Sequence, residues 1–321
     1  MAFNVVFFGT PKFSGRFLEK LIHDETLPIT ISCVVTRKDK PVGRDQELEQ
    51  SAVKKIALAN KIKVVDNITA EDMRAMDIDL GLVYAYGKIL SEDILHATKH
   101  GFWNIHPSLL PKYRGASPTA YALIMGDEAT GCTLMKMDPL MDHGPIIAQD
   151  RLTIMKEETH ESLLEKLTYV GYYLFRTKVQ KLIEGTFDDL ELAVQNDSMA
   201  TFTRLLKRED GFVEYNLIMK ALNKEKIKTE EFPQIMRDFL GQNSTSEFPI
   251  PYAPYIVFNL FRGLNPWPGI WTKVTIEGQQ QRLKIIDLTL ESGELIIKEV
   301  QLEGKTPVQF EQFRASYRLF N

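Results

Sequence analysis

Few of the features that identify an extracellular or membrane-anchored protein occur in this chain of 321 residues. Cysteine is nearly absent, and because Cys33 and Cys132 each lie in an apolar stretch, a disulfide framework is excluded and a reducing compartment is favoured. The apolar run from Val5 to Phe8 stops at Gly9 and follows no basic segment, so it predicts neither a signal peptide nor an anchor. We therefore expect a cytoplasmic protein.

An excess of either charge is also missing. The chain carries 39 Lys and Arg against 43 Asp and Glu, which leaves a formal net charge of −4. A charge this small gives no bulk electrostatic case for a nucleic-acid or membrane partner. Any such partner has to be recognised through a local arrangement of side chains.

The common cofactor motifs are missing as well. After the first apolar run the chain reads Gly9-Thr10-Pro11-Lys12-Phe13-Ser14-Gly15, which is not the G-x-G-x-x-G of dinucleotide-binding proteins. No P-loop, H-E-x-x-H or G-x-S-x-G motif occurs, and the two cysteines lack the spacing of metal ligands. We expect the protein to need neither a nicotinamide cofactor nor a metal.

The spacing of apolar residues along the chain, by contrast, is strongly periodic. Apolar stretches typical of buried strands, at 3–8, 29–36, 62–65, 80–84 and 101–105, alternate with helical patterns, which predicts an α/β fold with a Rossmann-like open parallel sheet and helices on both faces. A long helix is predicted between Thr159, its N-cap, and Gly185. We expect a catalytic domain at 1–185, a linker at 186–206, and a smaller C-terminal β-barrel (OB-like) domain at 207–321 with an insertion around 223–254.

Two polar side chains stand at the end of the strand that follows Gly101. Asn104 and His106 are two residues apart, so both point to the same face of a strand and one reacting group can meet both. An amide donor beside a histidine suits chemistry at a carbonyl, and Asp142, on a turn-rich segment, is the candidate that would hold the imidazole. Such a trio suits acyl transfer to an amine, although such spacing taken alone is more often structural than catalytic.

Several spaced motifs resemble those of the formyltransferase family that uses formyl-tetrahydrofolate as donor. They are Asn104-x-His106-x-Ser108-x-Leu110-Pro111, then Gly115, then Met137-Asp138 and Leu140-x-Asp142-x-Gly144-Pro145. Further segments resemble the members that formylate methionyl-tRNA: Phe7-x-Gly9-Thr10-Pro11-x-Phe13, Lys40-Pro41-x-Gly43-Arg44, Ala85-Tyr86-Gly87-x-Ile89-Leu90 and Leu264-Asn265-Pro266-Trp267-Pro268-Gly269. The resemblance covers the N-terminal 185 residues well and the remainder in patches.

The resemblance implies transfer of a formyl group from formyl-tetrahydrofolate to the amino group of methionyl-tRNA, with charged initiator tRNA as a partner and no stable protein partner. It implies three catalytic residues: Asn104, His106 and Asp142. It implies that the folate contacts are Tyr86, Gly87, Lys88, Ile89, Leu90, Ser108, Leu109, Leu110, Pro111 and Asp138. It implies that the acceptor contacts are Gly9, Thr10, Pro11 and Arg44.

The acceptor is the least determined part of this expectation. The loop at 37–50 carries four basic and four acidic residues, and 207–321 carries 15 of each, so neither segment has a net positive charge. Formylation of an amino-sugar nucleotide by the same three residues is therefore a second hypothesis. A folate-binding regulator without turnover is a third.

Overall fold

The computed structural model describes residues 3–42, 47–188, 192–243 and 251–320. Its strands are β1 (Phe3–Gly9), β2 (Ile29–Val35), β3 (Lys40–Val42), β4 (Glu47–Glu49), β5 (Val64–Val65), β6 (Leu80–Tyr84), β7 (Phe102–His106), β8 (Arg114–Gly115), β9 (Ala129–Lys136), β10 (Ile146–Thr153), β11 (Phe202–Thr203), β12 (Ile270–Ile276), β13 (Gln279–Glu291), β14 (Glu294–Leu302) and β15 (Val308–Gln309). Its α-helices are α1 (Lys12–Ile22), α2 (Ala52–Ala59), α3 (Ala70–Ala75), α4 (Glu92–Leu95), α5 (Pro118–Ile124), α6 (His160–Ile183), α7 (Tyr215–Leu222), α8 (Gln234–Gln242), α9 (Ala253–Leu264) and α10 (Phe310–Tyr317).

The main sheet has seven strands in the order β10-β9-β7-β6-β1-β2-β5. Strand β1 is parallel to β2 and β6, β6 is parallel to β7, and β9 runs antiparallel to β7. Successive side chains of β1 serve opposite faces: Phe7 stacks on Phe17 of α1, whereas Phe8 contacts Tyr86 and Phe102. Because both faces are covered, the inner strands read as unbroken apolar runs.

Helix α6 lies directly against the strand that carries the polar pair. A side chain at Gly171 would have its Cβ 2.6 Å from Ile105 and 3.0 Å from the Cys132 sulfur, so only glycine permits this approach. The predicted start of the helix is also present, since Thr159 Oγ1 accepts a hydrogen bond from the Ser162 amide at 3.4 Å. Close packing from this side leaves the opposite face of β7 for the polar residues.

The chain divides into two compact units that are interleaved in sequence. The first comprises Met1–Arg114, Thr130–Leu152 and Leu164–Ala200, and the second comprises Gly115–Ala129, Thr153–Leu163 and Thr201–Asn321. Residues 192–200, expected in a linker, therefore belong to the first unit. This division differs from the single boundary near residue 186 that the sequence suggested, because two short inner segments belong to the second unit.

Within the second unit, strands β12 to β15 form an antiparallel sheet and pair in sequence order. Helix α9 packs against α5, and a Cβ at Gly263 would lie 2.8 Å from the Ala120 carbonyl oxygen. The predicted fold class, an open α/β sheet followed by a smaller β-rich part, is confirmed. The region expected as an insertion contains α8 and reaches the first residues of α9, with 244–250 outside the described residues. In the part of the chain that the structure describes, no helix is both long and apolar enough to span a bilayer.

Candidate active site

The polar residues gather at the carboxyl edge of the main sheet. The register pairs Phe8 of β1 with Val83 of β6, and Val83 in turn with Asn104 of β7, so the ends of these three strands lie side by side. The chain leaves β1 for β2 on one side and continues through β6 and β7 on the other. Open α/β sheets bind their ligands in the crevice outside such a switch point.

Asn104, His106 and Asp142 meet at this edge. Asn104 Nδ2 donates to Asp142 Oδ1 at 3.3 Å, and His106 Nδ1 lies 3.6 Å from Asp142 Oδ2. Asn104 and His106 are buried, and the Asp142 side chain is 16% exposed, so water reaches the carboxylate but little else of the trio. One carboxylate thus faces both the amide and the imidazole.

The other imidazole nitrogen determines the orientation and tautomer of the ring. His106 Nε2 lies 2.9 Å from the Tyr113 carbonyl oxygen, and because a carbonyl only accepts, Nε2 has to donate. The proton of the neutral ring therefore sits on Nε2, and Nδ1 is the nitrogen that faces Asp142. The carbonyl of Tyr113, which no sequence motif indicated, is what orients the ring.

Asp142 lies on the connection between β9 and β10, in a backbone conformation that few residues adopt. Its φ is +49°, in the left-handed region that Asp tolerates better than most residues. Two positions later, a Cβ at Gly144 would lie 1.9 Å from the Lys136 carbonyl oxygen, so the loop can pass this close to β9 only with glycine there. The loop is therefore tightly defined around the carboxylate.

A buried amide from a distant segment holds this loop. Gln195 Nε2 donates to the carbonyl oxygens of Asp142 at 2.9 Å and Gly144 at 2.8 Å. Gln195 Oε1 accepts from Arg114 Nε at 3.0 Å and Nη2 at 2.9 Å. Sequence reasoning missed Gln195 and Arg114, and because Gln195 stands in a polar stretch without periodicity, no pattern in the sequence indicates it.

His143 and Asp138 form a second contact between the loop and the same segment. His143 Nδ1 lies 2.6 Å from Asp138 Oδ2, and its Nε2 lies 3.5 Å from Asp197 Oδ2. The hydrogen bond to Asp138 raises the pKa of His143 above its usual value, while the nearby Arg114 guanidinium acts against that rise. Arg114 Nη2 also donates to Asp197 Oδ1 at 2.7 Å and lowers the pKa of Asp197.

The segment expected to line the folate pocket after β7 is fixed mainly by hydrogen bonds. Ser108 Oγ donates to the Lys112 carbonyl at 2.7 Å, and the Leu110 amide donates to Thr133 Oγ1 at 3.1 Å. Gln149 Nε2 donates to the Leu110 carbonyl at 2.8 Å. Ser108 and Leu110 are buried and their backbone groups are already paired within the protein, whereas Leu109 and Pro111 are partly exposed.

The segment after β6 is divided between core and solvent. Tyr86 and Leu90 are buried in the core, whereas Ile89 is 90% exposed and Lys88 lies over the Tyr86 ring. Gly87 has a φ of +82° and open space where a side chain would stand. An apolar ligand at this edge could therefore contact the exposed Ile89 side chain and approach the backbone of Gly87 closely.

The expected acceptor contacts fall partly inside the described structure. Gly9, Thr10 and Pro11 form the turn from β1 into α1, and Thr10 Oγ1 donates to the Tyr86 carbonyl at 3.2 Å, which joins this turn to the end of β6. Arg44 lies outside the described residues. The turn and the trio of Asn104, His106 and Asp142 share the carboxyl edge of the sheet.

Comparison with known proteins identifies the family of this chain. Residues 3–179 match the family described as formyl transferase, which covers more than half of the chain. The chain belongs to the formyl transferase family. Methionyl-tRNA formyltransferase from Agathobacter rectalis is 32% identical over 94% of this chain and 93% of its own length, and the Geobacter metallireducens enzyme is 30% identical over 98% and 96%.

Solved structures share the fold at lower identity. An N-formyltransferase from Helicobacter canadensis, in complex with folinic acid and dTDP-3-aminofucose, is 18% identical with a TM-score of 0.55, covering 91% of this chain and 89% of its own. A 4-N formyltransferase from Francisella tularensis is 16% identical with a TM-score of 0.57, covering 90% and 98%. These similarities in structure confirm the fold class predicted for this chain.

Proposed function

We propose that this protein transfers a formyl group from formyl-tetrahydrofolate to the amino group of methionyl-tRNA. The observation that carries the proposal is the meeting of Asn104, His106 and Asp142 at the carboxyl edge of the sheet, with one carboxylate facing an amide donor and an imidazole. Relatives of known name that match nearly the whole chain are methionyl-tRNA formyltransferases, which supports this acceptor.

Each of the three side chains has a role in this reaction. The amine nitrogen attacks the formyl carbon, forming one C–N bond and placing a negative charge on the formyl oxygen. Asn104 Nδ2 and a protonated His106 Nδ1 donate to that oxyanion, since preorganised donors stabilise charge that develops in the transition state. Asp142 stabilises the imidazolium and accepts the amine proton through water; the bond to the folate nitrogen then breaks, and that nitrogen receives the proton.

The second unit carries a cluster that suits an RNA acceptor. Arg208, Arg282 and Lys284 line one groove together with Trp267, whose side chain is 56% exposed, and the Arg282 guanidinium lies 4.3 Å from the Trp271 ring centre. Burial and, after it, Arg208 lower the pKa of Arg282, whereas Glu303 of the same groove acts against them. Cations beside an exposed indole suit phosphate contacts and base stacking. The neutral total charge of 207–321 therefore does not argue against tRNA.

Four expectations from the sequence stay predictions. They are a contact between Arg44 and the acceptor arm, activity without metal or nicotinamide, a cytoplasmic location, and the absence of a stable protein partner. The roles assigned to the three catalytic residues and to the folate contacts also belong to this proposal.

A direct assay tests the proposal. Purified protein is incubated with formyl-tetrahydrofolate and either methionyl initiator tRNA or a panel of amino-sugar nucleotides, and the formylated product is measured. We expect product only with the charged tRNA. Product with an amino-sugar nucleotide alone would replace the acceptor, and folate binding without product on any acceptor would favour a regulator.

A further inference from the structure

The side-chain amide of Gln195 uses all of its hydrogen-bonding groups, both N–H donors and the oxygen, in contacts with the Asp142 loop and Arg114. Its two N–H groups are directed at the carbonyls of Asp142 and Gly144, and its oxygen receives two N–H groups of Arg114. Gln195 is 7% exposed and Arg114 is 3% exposed, so these bonds are sheltered from water. Because Arg114 only donates, the amide cannot flip, and its two donors have to point at the loop.

The carbonyls that Gln195 holds flank the proposed catalytic carboxylate. Asp142 has a left-handed φ of +49°, a conformation that persists when the surroundings determine it. The loop lies between β9 and β10, and at its base the Lys136 amide donates to the Pro145 carbonyl at 2.9 Å. Two sheltered hydrogen bonds to residues 142 and 144 fix the direction of the Asp142 side chain, and with it the 3.6 Å approach to His106 Nδ1.

We propose that Gln195 is a positioning residue for formyl transfer, which acts by fixing the Asp142 loop and is itself oriented by Arg114. This inference rests on the proposed function and adds to it a residue beyond the matched range 3–179. A misplacement of about 1 Å in a reacting group costs on the order of 100-fold in rate. The loss should appear mainly in kcat, since Asp138 alone among the expected folate contacts lies on this loop.

The test variant is Gln195→Glu. Glutamate keeps the size of the side chain and its pairing with Arg114, but it replaces the two donors with an oxygen facing two carbonyls. The matched control is Asn243→Asp in the second unit, where an equally buried amide donates to the carbonyls of Phe202 and Phe239. We expect kcat to fall at least about 10-fold in Gln195→Glu with KM for folate within about twofold, and no such fall in the control.

A double-variant cycle separates positioning from general damage. In an Asp142→Asn background, Gln195→Glu should lower kcat by less than about threefold, because its effect acts through the carboxylate already removed. If the two losses multiply instead, or if Gln195→Glu turns over like wild type, the inference is overturned. Gln195→Met, which lacks both donors and adds no charge, takes the place of Gln195→Glu if that variant does not fold.

Hydrogen exchange provides a readout that does not depend on activity. Peptides covering 137–145 should exchange at least about 10-fold faster in Gln195→Glu than in wild type, with no change in the Asn243→Asp control. Unchanged exchange would refute the inference even if the wild-type protein formylated no tRNA. If the wild-type protein is inactive on charged tRNA but the loop still exchanges faster in Gln195→Glu than in wild type, only the proposed acceptor is refuted.

Discussion

Replacing Asn104 with alanine removes one donor from the proposed oxyanion site and little else. The side chain makes a 3.3 Å hydrogen bond to Asp142, whose loss costs on the order of 1 kcal/mol of folding free energy. Loss of one oxyanion donor costs ~2.7–4 kcal/mol in the transition state, or about 100- to 1,000-fold in kcat. We therefore expect kcat to fall by that factor while KM for folate changes little.

Asn104→Asp sharpens this test. It places a carboxylate oxygen where the amide nitrogen stood, facing both Asp142 and the developing oxyanion, so we expect kcat below that of Asn104→Ala. The matched control is Asn4→Ala at the start of β1, where the amide donates to the Asp77 carbonyl at 3.2 Å. Initial rates at saturating and limiting folate, together with thermal unfolding, separate rate from stability. Wild-type kcat in Asn104→Ala, or equal losses in both alanine variants, would refute the oxyanion role.

Three further predictions concern titratable and charged groups. His106→Ala should lower kcat at least about 100-fold while KM for folate changes little, because the imidazole serves charge that develops only in the transition state; wild-type kcat in this variant would contradict the role. The pKa of His143 is raised mainly by its bond to Asp138. The contribution of this ion pair to the free energy of unfolding is therefore complete below about pH 6.5 and is lost as pH rises through the raised pKa. His143→Gln should therefore unfold more easily than wild type at pH 6, by about 0.5 kcal/mol, and equally at pH 9; a difference independent of pH would count against the ion pair. Arg282→Ser should raise KM for tRNA and make the dependence of log KM on log salt shallower by about 0.7–0.9, and an unchanged slope would remove Arg282 from the phosphate contacts.

The carboxyl edge of the sheet could be predicted because local patterns determine it. Unbroken apolar runs place β1, β6 and β7 in a sheet covered on both faces, and the two-residue spacing of Asn104 and His106 puts them on one face. Their joint contact with Asp142 is a finding of the structure, since a loop 36 residues beyond His106 can be brought there only by tertiary packing. Family resemblance, not periodicity, selected Asp142 beforehand.

The parts that the sequence did not predict depend on contacts between distant residues. Gln195 is one polar residue among many in its segment, and only the hydrogen bonds to residues 142 and 144 distinguish it. Helix α9 was also missed, because its polar residues Asn259 and Arg262 are buried together with its apolar ones, so its polar positions do not mark a solvent-facing side. In both cases burial by partners far along the chain overrides the local pattern.

The position of Gln195 also bears on where the catalytic unit ends. The family match stops at residue 179, and sequence reasoning placed the boundary at 185, yet the first compact unit continues to Ala200. The reason is energetic: Gln195, Asp197 and the backbone pair of Ala193 with Ile146 all lie beyond residue 185, and they hold the Asp142 loop with its left-handed residue. A protein cut at residue 185 would keep Asn104, His106 and Asp142 but lose the groups that fix the carboxylate. Possession of the three proposed catalytic residues therefore does not define a complete active site in this chain.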